Sequence, residues 1–469
     1  MINRRDFIKN MALFGGAAAL SPRIFAGAAS APTLDPNALR IGVIGCGNRG
    51  EHNMNTFGER LGQHIAAICD TDLNQCSKAK EKYASAQVFR DYREMLVKME
   101  GKLDAVVIST PDLSHYAAAM SAVNSGLHIY IEKPFCHTIW QGRDLYKAIQ
   151  KKGVLVQMGN QSHSAEGIRY CAEWIKAGLI GKVKEVILWT DRPLGGATFP
   201  NNVTNFPQAE SVPSWLEWDL WQNVAAPQEY FGNRLTQGKW RGWWKYGSGA
   251  LGDIGCHMLD IPVYALGLPY PSQIVSKTRG VTAISVASQE AVEYTFAKSN
   301  QGNPVKVTWY SGFKRPNESG AWDKGYDTKL LPPLPKQYIE SGGEYAKLAT
   351  NGQFLIGDKG VIYCPNMHQK GRPILLPREL WDDVKKNLPR TEERIKNNDH
   401  GLNFVRAVKG EDKLSSAPDY AHVLTEVVQL GNLASRTNAK IVWDAKNLVC
   451  VGNTAATKFV NPPMRKGWF

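Results

Sequence analysis

The stretch Ile41–Gly50, IGVIGCGNRG, constrains this chain more than any other, because a short apolar run delivers it directly into three closely spaced glycines. Gly45, Gly47 and Gly50 fit the spacing G-x-G-x-x-G. In that pattern the first glycine permits a tight turn, the second lets backbone approach a pyrophosphate, and the third lets the next helix pack against the strand. A glycine-rich turn alone is as readily an ordinary strand-to-helix turn, so its surroundings decide. A polar, helix-compatible stretch over Glu51–Gly62 leads to a second apolar run, Ile65–Cys69, closed by Asp70 twenty residues after Gly50. An acid there accepts a hydrogen bond from a ribose 2′-hydroxyl and repels a 2′-phosphate, which selects NAD over NADP. The bland reading of Asp70 is a solvated acid at a strand end.

The chain has 469 residues, enough for two domains with cores of their own. Its formal net charge is +13, of which Arg4, Arg5, Lys9 and Arg23 against Asp6 supply +3 within the first thirty residues. No block of lysines and arginines accompanies the excess, so it describes a diffuse basic surface and argues against a nucleic-acid partner. Eight cysteines occur without a C-x-x-C pair, several inside apolar runs, which predicts buried free thiols and neither a disulfide frame nor a metal site.

Residues 1–30 read as an address. Arg4-Arg5-Asp6-Phe7-Ile8-Lys9 is a twin-arginine motif, followed by the apolar run Met11–Leu20 and the small residues Ala26-Gly27-Ala28. This predicts passage through the twin-arginine export machinery to the periplasm or beyond. Export by that route carries folded protein, so a nucleotide would be loaded in the cytoplasm. The run is too short to span a bilayer.

From residue 31 to residue 158 short apolar runs alternate with helical stretches, the signature of a parallel sheet wrapped by helices. Ala105–Ser109 predicts a buried strand running into the turn Thr110-Pro111-Asp112, His115–Asn124 a helix, and Leu127–Ile131 a strand closed by Glu132-Lys133-Pro134. Ligands sit outside the carboxyl ends of such strands, so these ends face the crevice of the glycine loop. A second domain over residues 159–445, with residues 446–469 as a tail, opens on a helix at Ala165–Ala177 and a strand at Val183–Thr190. Strands are expected at Ala287–Ala297, Val305–Tyr310, within Gln353–Tyr363 and at Lys440–Asp444, and helices at Thr391–Val408 and Asp419–Ala434. The fold class is therefore α/β, a Rossmann unit followed by an α/β domain. Within the second domain Arg192–Tyr246 lacks periodicity but holds six of the fourteen tryptophans. Indole faces suit the C–H patches of pyranose rings, and they equally serve as loop anchors.

In Gly247–Leu268, Asp253 and His257 are four residues apart, on one face of a helix, and Asp260 follows three later. A histidine beside a carboxylate is a candidate general base, or else a structural histidine. Lys133 either makes a surface ion pair or enters the crevice, where its ammonium would hold a substrate hydroxyl.

Together, the glycine loop with Asp70, Thr110-Pro111-Asp112 leading to His115, Glu132-Lys133-Pro134, and the glycine turn before Asp253-x-x-x-His257 resemble the Gfo/Idh/MocA family of oxidoreductases over about residues 38–445. The resemblance implies that the large, mostly antiparallel sheet of the second domain serves a homo-oligomer. It implies that His257 takes the hydroxyl proton, that Asp253 orients or relays and that Lys133 positions the hydroxyl. It places NAD on Gly45, Gly47, Asn48, Arg49, Gly50 and Asp70, and on Thr110, Pro111, His115, Glu132, Lys133 and Gln161. Substrate would meet Lys133, Trp244, Asp253 and His257. The implied reaction is hydride transfer from a secondary alcohol of a sugar, polyol or glycoside, with NAD held tightly and recycled. The alternative is redox-neutral glycoside cleavage through transient oxidation, as in an exported branch that cleaves α-N-acetylgalactosaminides. That branch carries Gly-His-Gly-Gly and lacks the Glu-Lys-Pro tripeptide, so this chain departs from it. A third reading, a sensor that binds without turnover, is disfavoured by the intact Lys133, Asp253 and His257.

Overall fold

A computed structural model describes residues 35–193, 199–232, 235, 238–366, 368 and 370–469. The twin-arginine segment expected over residues 1–30 lies outside the described residues.

The apolar runs flanking the glycine loop become the centre of a parallel sheet. Its strands are β1 (Arg40–Ile44), β2 (His64–Cys69), β3 (Gln87–Phe89), β4 (Ala105–Ile108), β5 (His128–Glu132) and β6 (Val156–Gly159), in the order β3-β2-β1-β4-β5-β6. Every residue of β4 is buried, as expected where helices cover both faces. The crossovers are α1 (Arg49–Met54), α2 (Leu73–Lys82), α3 (Tyr92–Lys98), α4 (Asp112–Asn124) and α5 (Ile139–Lys152). Strand order reverses between β1 and β4, which opens a crevice at their carboxyl ends. Helix α5 starts on a reciprocal cap in which Gln141 N donates to Thr138 Oγ1 at 3.3 Å and Thr138 N to Gln141 Oε1 at 3.2 Å. Thr138→Ala is expected to cost about 1 kcal/mol, read as a lower urea midpoint at unchanged slope.

The second sheet has nine strands: β7 (Val183–Trp189), β8 (Gln273–Arg279), β9 (Gln289–Phe296), β10 (Val305–Ser311), β11 (Gly352–Gly357), β12 (Val361–Cys364), β13 (Ile374–Leu376), β14 (Ile441–Asp444) and β15 (Val449–Cys450). They order as β13-β12-β11-β7-β10-β9-β8-β14-β15, and only β7 and β10 pair in parallel. Helix α6 (Glu166–Lys176) leads into this domain. The helix expected at Thr391–Val408 is confined to α7 (His400–Val408). Asn397 and Asn398 take positive φ of 58° and 54°, and Asp399 Oδ1 accepts from Leu402 N at 3.0 Å, so the helix starts only there. The long helix α8 (Pro418–Thr437) packs on α5 and on β8, and so joins the two sheets.

The aperiodic region is held by aromatic packing. Trp218, Tyr230, Phe231, Trp243 and Tyr246 form one cluster with Leu113 of α4. Residues 446–469 carry β15 and then return to the first domain, where Tyr92 Oη donates to the Trp468 carbonyl at 2.7 Å and the Arg93 guanidinium lies 4.3 Å from the Trp468 ring centroid. All eight cysteines are buried free thiols. No helix of the described residues is long and apolar enough to cross a membrane.

Candidate active site

The ends of β1, β4 and β5 open on a cleft of about 920 Å³ whose far wall comes from the second domain. Its glycines are dictated by space. Gly45 has φ +88°, and a Cβ there would lie 2.7 Å from the Ser109 carbonyl oxygen, while a Cβ on Gly50 would run into the Gly45 carbonyl. Asn48, with φ 49°, turns the loop into α1.

Asp70 Oδ2 accepts from Cys46 N at 2.7 Å and Oδ1 from Asp72 N at 3.0 Å, which fixes the carboxylate beside the loop. Burial pushes its pKa up to about 6 from 3.8, against those two hydrogen bonds. A raised carboxyl pKa contributes stability that is fully present below 3.8 and lost as pH rises through about 6. At pH 7 the charged Asp70 therefore costs the ligand-free protein stability. Asp70→Asn is expected to raise the melting temperature of nucleotide-free protein at pH 7 and to weaken NAD about tenfold with relaxed exclusion of NADP, checked by calorimetry and nucleotide titration.

Arg49 and Gln161 reach the cleft through Glu132. This carboxylate accepts from Arg49 Nε at 2.9 Å, Asn53 Nδ2 at 3.0 Å and Gln161 Nε2 at 2.9 Å. Burial acts to raise the Glu132 pKa, but the Arg49 charge and the hydrogen bonds outweigh it and hold the group below the ordinary value. Thr110 and Pro111 line the cleft, whereas His115 does not. His115 is buried with its ring nitrogens 2.7 Å from the Pro134 carbonyl and 2.9 Å from that of Thr110, so it fastens the β4 and β5 ends together.

The structure brings Lys133, Asp253 and His257 together. Lys133 Nζ donates to Asp253 Oδ1 at 2.9 Å and to the Asp253 carbonyl, and Arg241 Nε lies 3.0 Å from the same Oδ1. Burial works against ionised Asp253, but the Arg241 and Lys133 charges prevail and hold its carboxyl far below the usual range. His257 is buried, and its Nδ1 has no hydrogen-bond partner among the described residues. Burial, with the charges of Lys133 and His368, drives the His257 pKa well down, so the ring is neutral near pH 7. The backbone here differs from the α-helix implied by the four-residue spacing: Leu251–Gly255 is a π-helical turn that passes into an α-helical turn at Cys256–Met258.

Asp260 faces elsewhere. It lies 2.8 Å from His163 Nδ1 and accepts from Asn160 Nδ2 at 3.0 Å, securing the exit of β6. Trp244 corrects the expected substrate set: it is buried on Phe199 and Val286, its Nε1 donates to the Thr282 carbonyl at 3.2 Å, and it lines a different cavity. The cleft's tryptophans are Trp215, Trp218, Trp221 and Trp240. Arg241 and His368 were not legible in the sequence. Each stands in an irregular stretch without spacing to a partner, and only the fold brings them to Asp253 and His257; the His257 and His368 rings are 5.0 Å apart.

The residues fit a nicotinamide dinucleotide. Gly45, Gly47 and Gly50 clear a backbone cradle that side chains would fill, Asp70 offers a fixed acceptor, and the buried Thr110 Oγ1 is unpartnered among the described residues. Among the described residues no cluster of three or more His, Cys, Asp or Glu is arranged to hold a metal ion.

A family model described as an oxidoreductase family with an NAD-binding Rossmann fold matches residues 39–160, and its companion C-terminal alpha/beta domain matches residues 197–322 and 350–469. The chain is 28% identical over 241 residues to the D-glucoside 3-dehydrogenase of Escherichia coli (strain K12), covering 51% of this chain and 57% of that protein. It is 28% identical over 208 residues to an alpha-N-acetylgalactosaminidase of Shewanella oneidensis, covering 39% and 44%. The chain thus spans about half the length of the curated relatives it matches. It shares its fold with the WlbA dehydrogenase of Bordetella pertussis, solved with NADH and UDP-GlcNAcA, at a TM-score of 0.57 and 15% identity over 87% of this chain and 99% of that one. With both halves of the family pattern matched and the nucleotide seat intact, this chain belongs to the Gfo/Idh/MocA family of NAD-binding oxidoreductases.

Proposed function

We propose that the protein transfers a hydride at a secondary alcohol carbon of a sugar, polyol or glycoside. The observation that carries this reading is the Lys133–Asp253 pair beside the neutral His257, whose Nδ1 has no hydrogen-bond partner among the described residues, in one cleft with the glycine loop. NAD, when bound, supplies the hydride acceptor. Asp253 takes up two of the Lys133 donors through its carboxylate and carbonyl, which leaves the third for a substrate hydroxyl. His257 takes the hydroxyl proton as a neutral base. Lys133 holds the oxygen and stabilises the negative charge that develops on it. Arg241 keeps Asp253 ionised and so keeps Lys133 in place.

Arg4-Arg5 and the apolar run behind them support export through the twin-arginine route. Outside the cytoplasm no pool of NAD(H) is dependable, so the protein retains its nucleotide and returns the hydride to a second substrate. The similarity to the Shewanella glycosidase favours a second reading, in which the hydride returns to the same sugar after the aglycone has left. One experiment separates them. Protein purified from its export route is denatured to identify released nucleotide, and intact protein is incubated with a glycoside panel while reduced-nicotinamide absorbance and product masses are followed. Lasting reduction of bound NAD is the expected result. Aglycone release without lasting reduction supports the second reading, and protein that carries no nucleotide and binds NAD(H) weakly overturns both. Light scattering on the same sample tests the expected homo-oligomer.

A further inference from the structure

Behind the catalytic segment lies a second cavity of about 350 Å³, within the range of about 300–1,000 Å³ typical of small-molecule sites. Its floor is the turn Gly247–Ser248, and α8 secures that turn. Gln429 Nε2 donates to Ser248 Oγ at 3.0 Å and to the Cys136 carbonyl at 3.1 Å, and Asn432 Nδ2 donates to the Ser248 carbonyl at 2.9 Å. These amides are occupied in holding the floor, and the cavity's two cations are not. Arg436, one turn along α8 from Asn432, lies 4.0 Å from the Phe459 ring centroid and 5.8 Å from that of Trp244, and makes no ion pair among the described residues. Lys245 Nζ donates to the Pro227 carbonyl and to Gln228 Oε1, both at 3.4 Å, lies 5.7 Å and 5.8 Å from the Phe206 and Tyr246 ring centroids, and makes no ion pair among the described residues. No carboxylate lines the cavity among the described residues.

Two cations held partly out of water without a counter-charge among the described residues are unfavourable, and an anion entering between them relieves that cost. Burial lowers the pKa of Arg436 to about 10 and that of Lys245 below its ordinary value, as expected where no acid compensates. Beside the cations the lining is apolar, with Phe206, Ile284 and Pro462; an inorganic anion would leave that surface unused, whereas a sugar ring presents C–H surface to it.

We propose that this cavity binds an acidic saccharide, its carboxylate or sulfate paired with Arg436 and Lys245 and its ring against the apolar lining. The saccharide part rests on reading the protein as a sugar enzyme. Because Cys136 and Ser248 belong to the segments that carry Lys133 and Asp253, the site shares its floor with the catalytic wall.

The test is titration calorimetry on the full protein with glucuronate, glucose 6-sulfate, neutral methyl glucoside and inorganic sulfate. Wild type is compared with Arg436→Gln, Lys245→Gln and the cleft variant Lys133→Met. The expected result is saturable binding of glucuronate, glucose 6-sulfate or both, weakened at least about tenfold by Arg436→Gln and by Lys245→Gln and unchanged by Lys133→Met. Which acid binds distinguishes carboxylate from sulfate. The proposal is overturned if neither acidic sugar binds, if Lys133→Met abolishes binding while Arg436→Gln spares it, or if inorganic sulfate binds as well as the sugars. Should Arg436→Gln fail to fold, Lys245→Gln decides on the same criterion. Absence of turnover on any sugar would sink the proposed activity and leave this binding result intact.

Discussion

His257→Ala lowers kcat/KM by roughly 10²–10⁴-fold while nucleotide affinity stays within about twofold, measured by steady-state kinetics and by titration with NADH. The size follows from the role. An imidazole whose buried Nδ1 has no partner among the described residues performs no bonding task at that atom, so its removal subtracts a proton acceptor more than a structural tie. A merely structural histidine would lower stability and leave kcat nearly untouched. The same burial sets the pH dependence. A base with a depressed pKa stays unprotonated below the ordinary histidine value of 6.5, so the acid limb of kcat/KM falls below that pH. Stability behaves in parallel, because a depressed histidine pKa contributes stability present above 6.5 and lost as pH falls through the folded value. His400, lowered to about 4 by burial, sets that window, and the urea midpoint is expected to drop between pH 6.5 and about 4.

Gly50→Ala is expected to weaken NAD at least roughly a hundredfold and to destabilise the protein by about 3 kcal/mol, checked by nucleotide titration and chemical denaturation. The added methyl would run into the Gly45 carbonyl, which is backbone and has no rotamer to escape into. Relief requires the loop to part from α1, and that same loop is the nucleotide's cradle. A Cβ on Gly47, by contrast, would stand 3.0 Å from the end of the Gln75 side chain, which can swing aside. Gly47→Ala should therefore cost far less stability than Gly50→Ala, and that contrast separates a clash with backbone from a general effect of replacing glycine.

The parts of the fold that were legible in advance are those whose pattern is local. Buried parallel strands such as Ala105–Ile108 are unbroken apolar runs, and Val305–Ser311 has apolar and polar residues in register with its neighbours. β3 and β8 escaped because Gln87–Phe89 is three residues with one buried, and Gln273–Arg279 buries only Ile274. Their strand state comes from pairing partners, which no window of sequence contains. The site divides in the same way. Lys133, Asp70 and the glycines sit at strand ends, where topology alone predicts convergence. Arg241 arrives on the short 3₁₀ turn Lys239–Gly242 and His368 from far along the chain, and Trp244 sits three residues before the glycine turn yet packs behind it. Proximity along the chain misled because the turn at Gly247–Ser248 separates the two faces.

The π-helical turn over Leu251–Gly255 bears on how relatives of this protein are to be aligned. Such a turn holds one residue more than its α-helical counterpart, and each helical residue turns the chain by about 100°. Deleting a single residue there would let the backbone settle into an α-turn and swing His257 away from Lys133, with every side chain of the trio still present. In this chain the number of residues between Asp253 and His257 therefore matters as much as their identity, because the π-turn sets where the imidazole stands relative to Lys133.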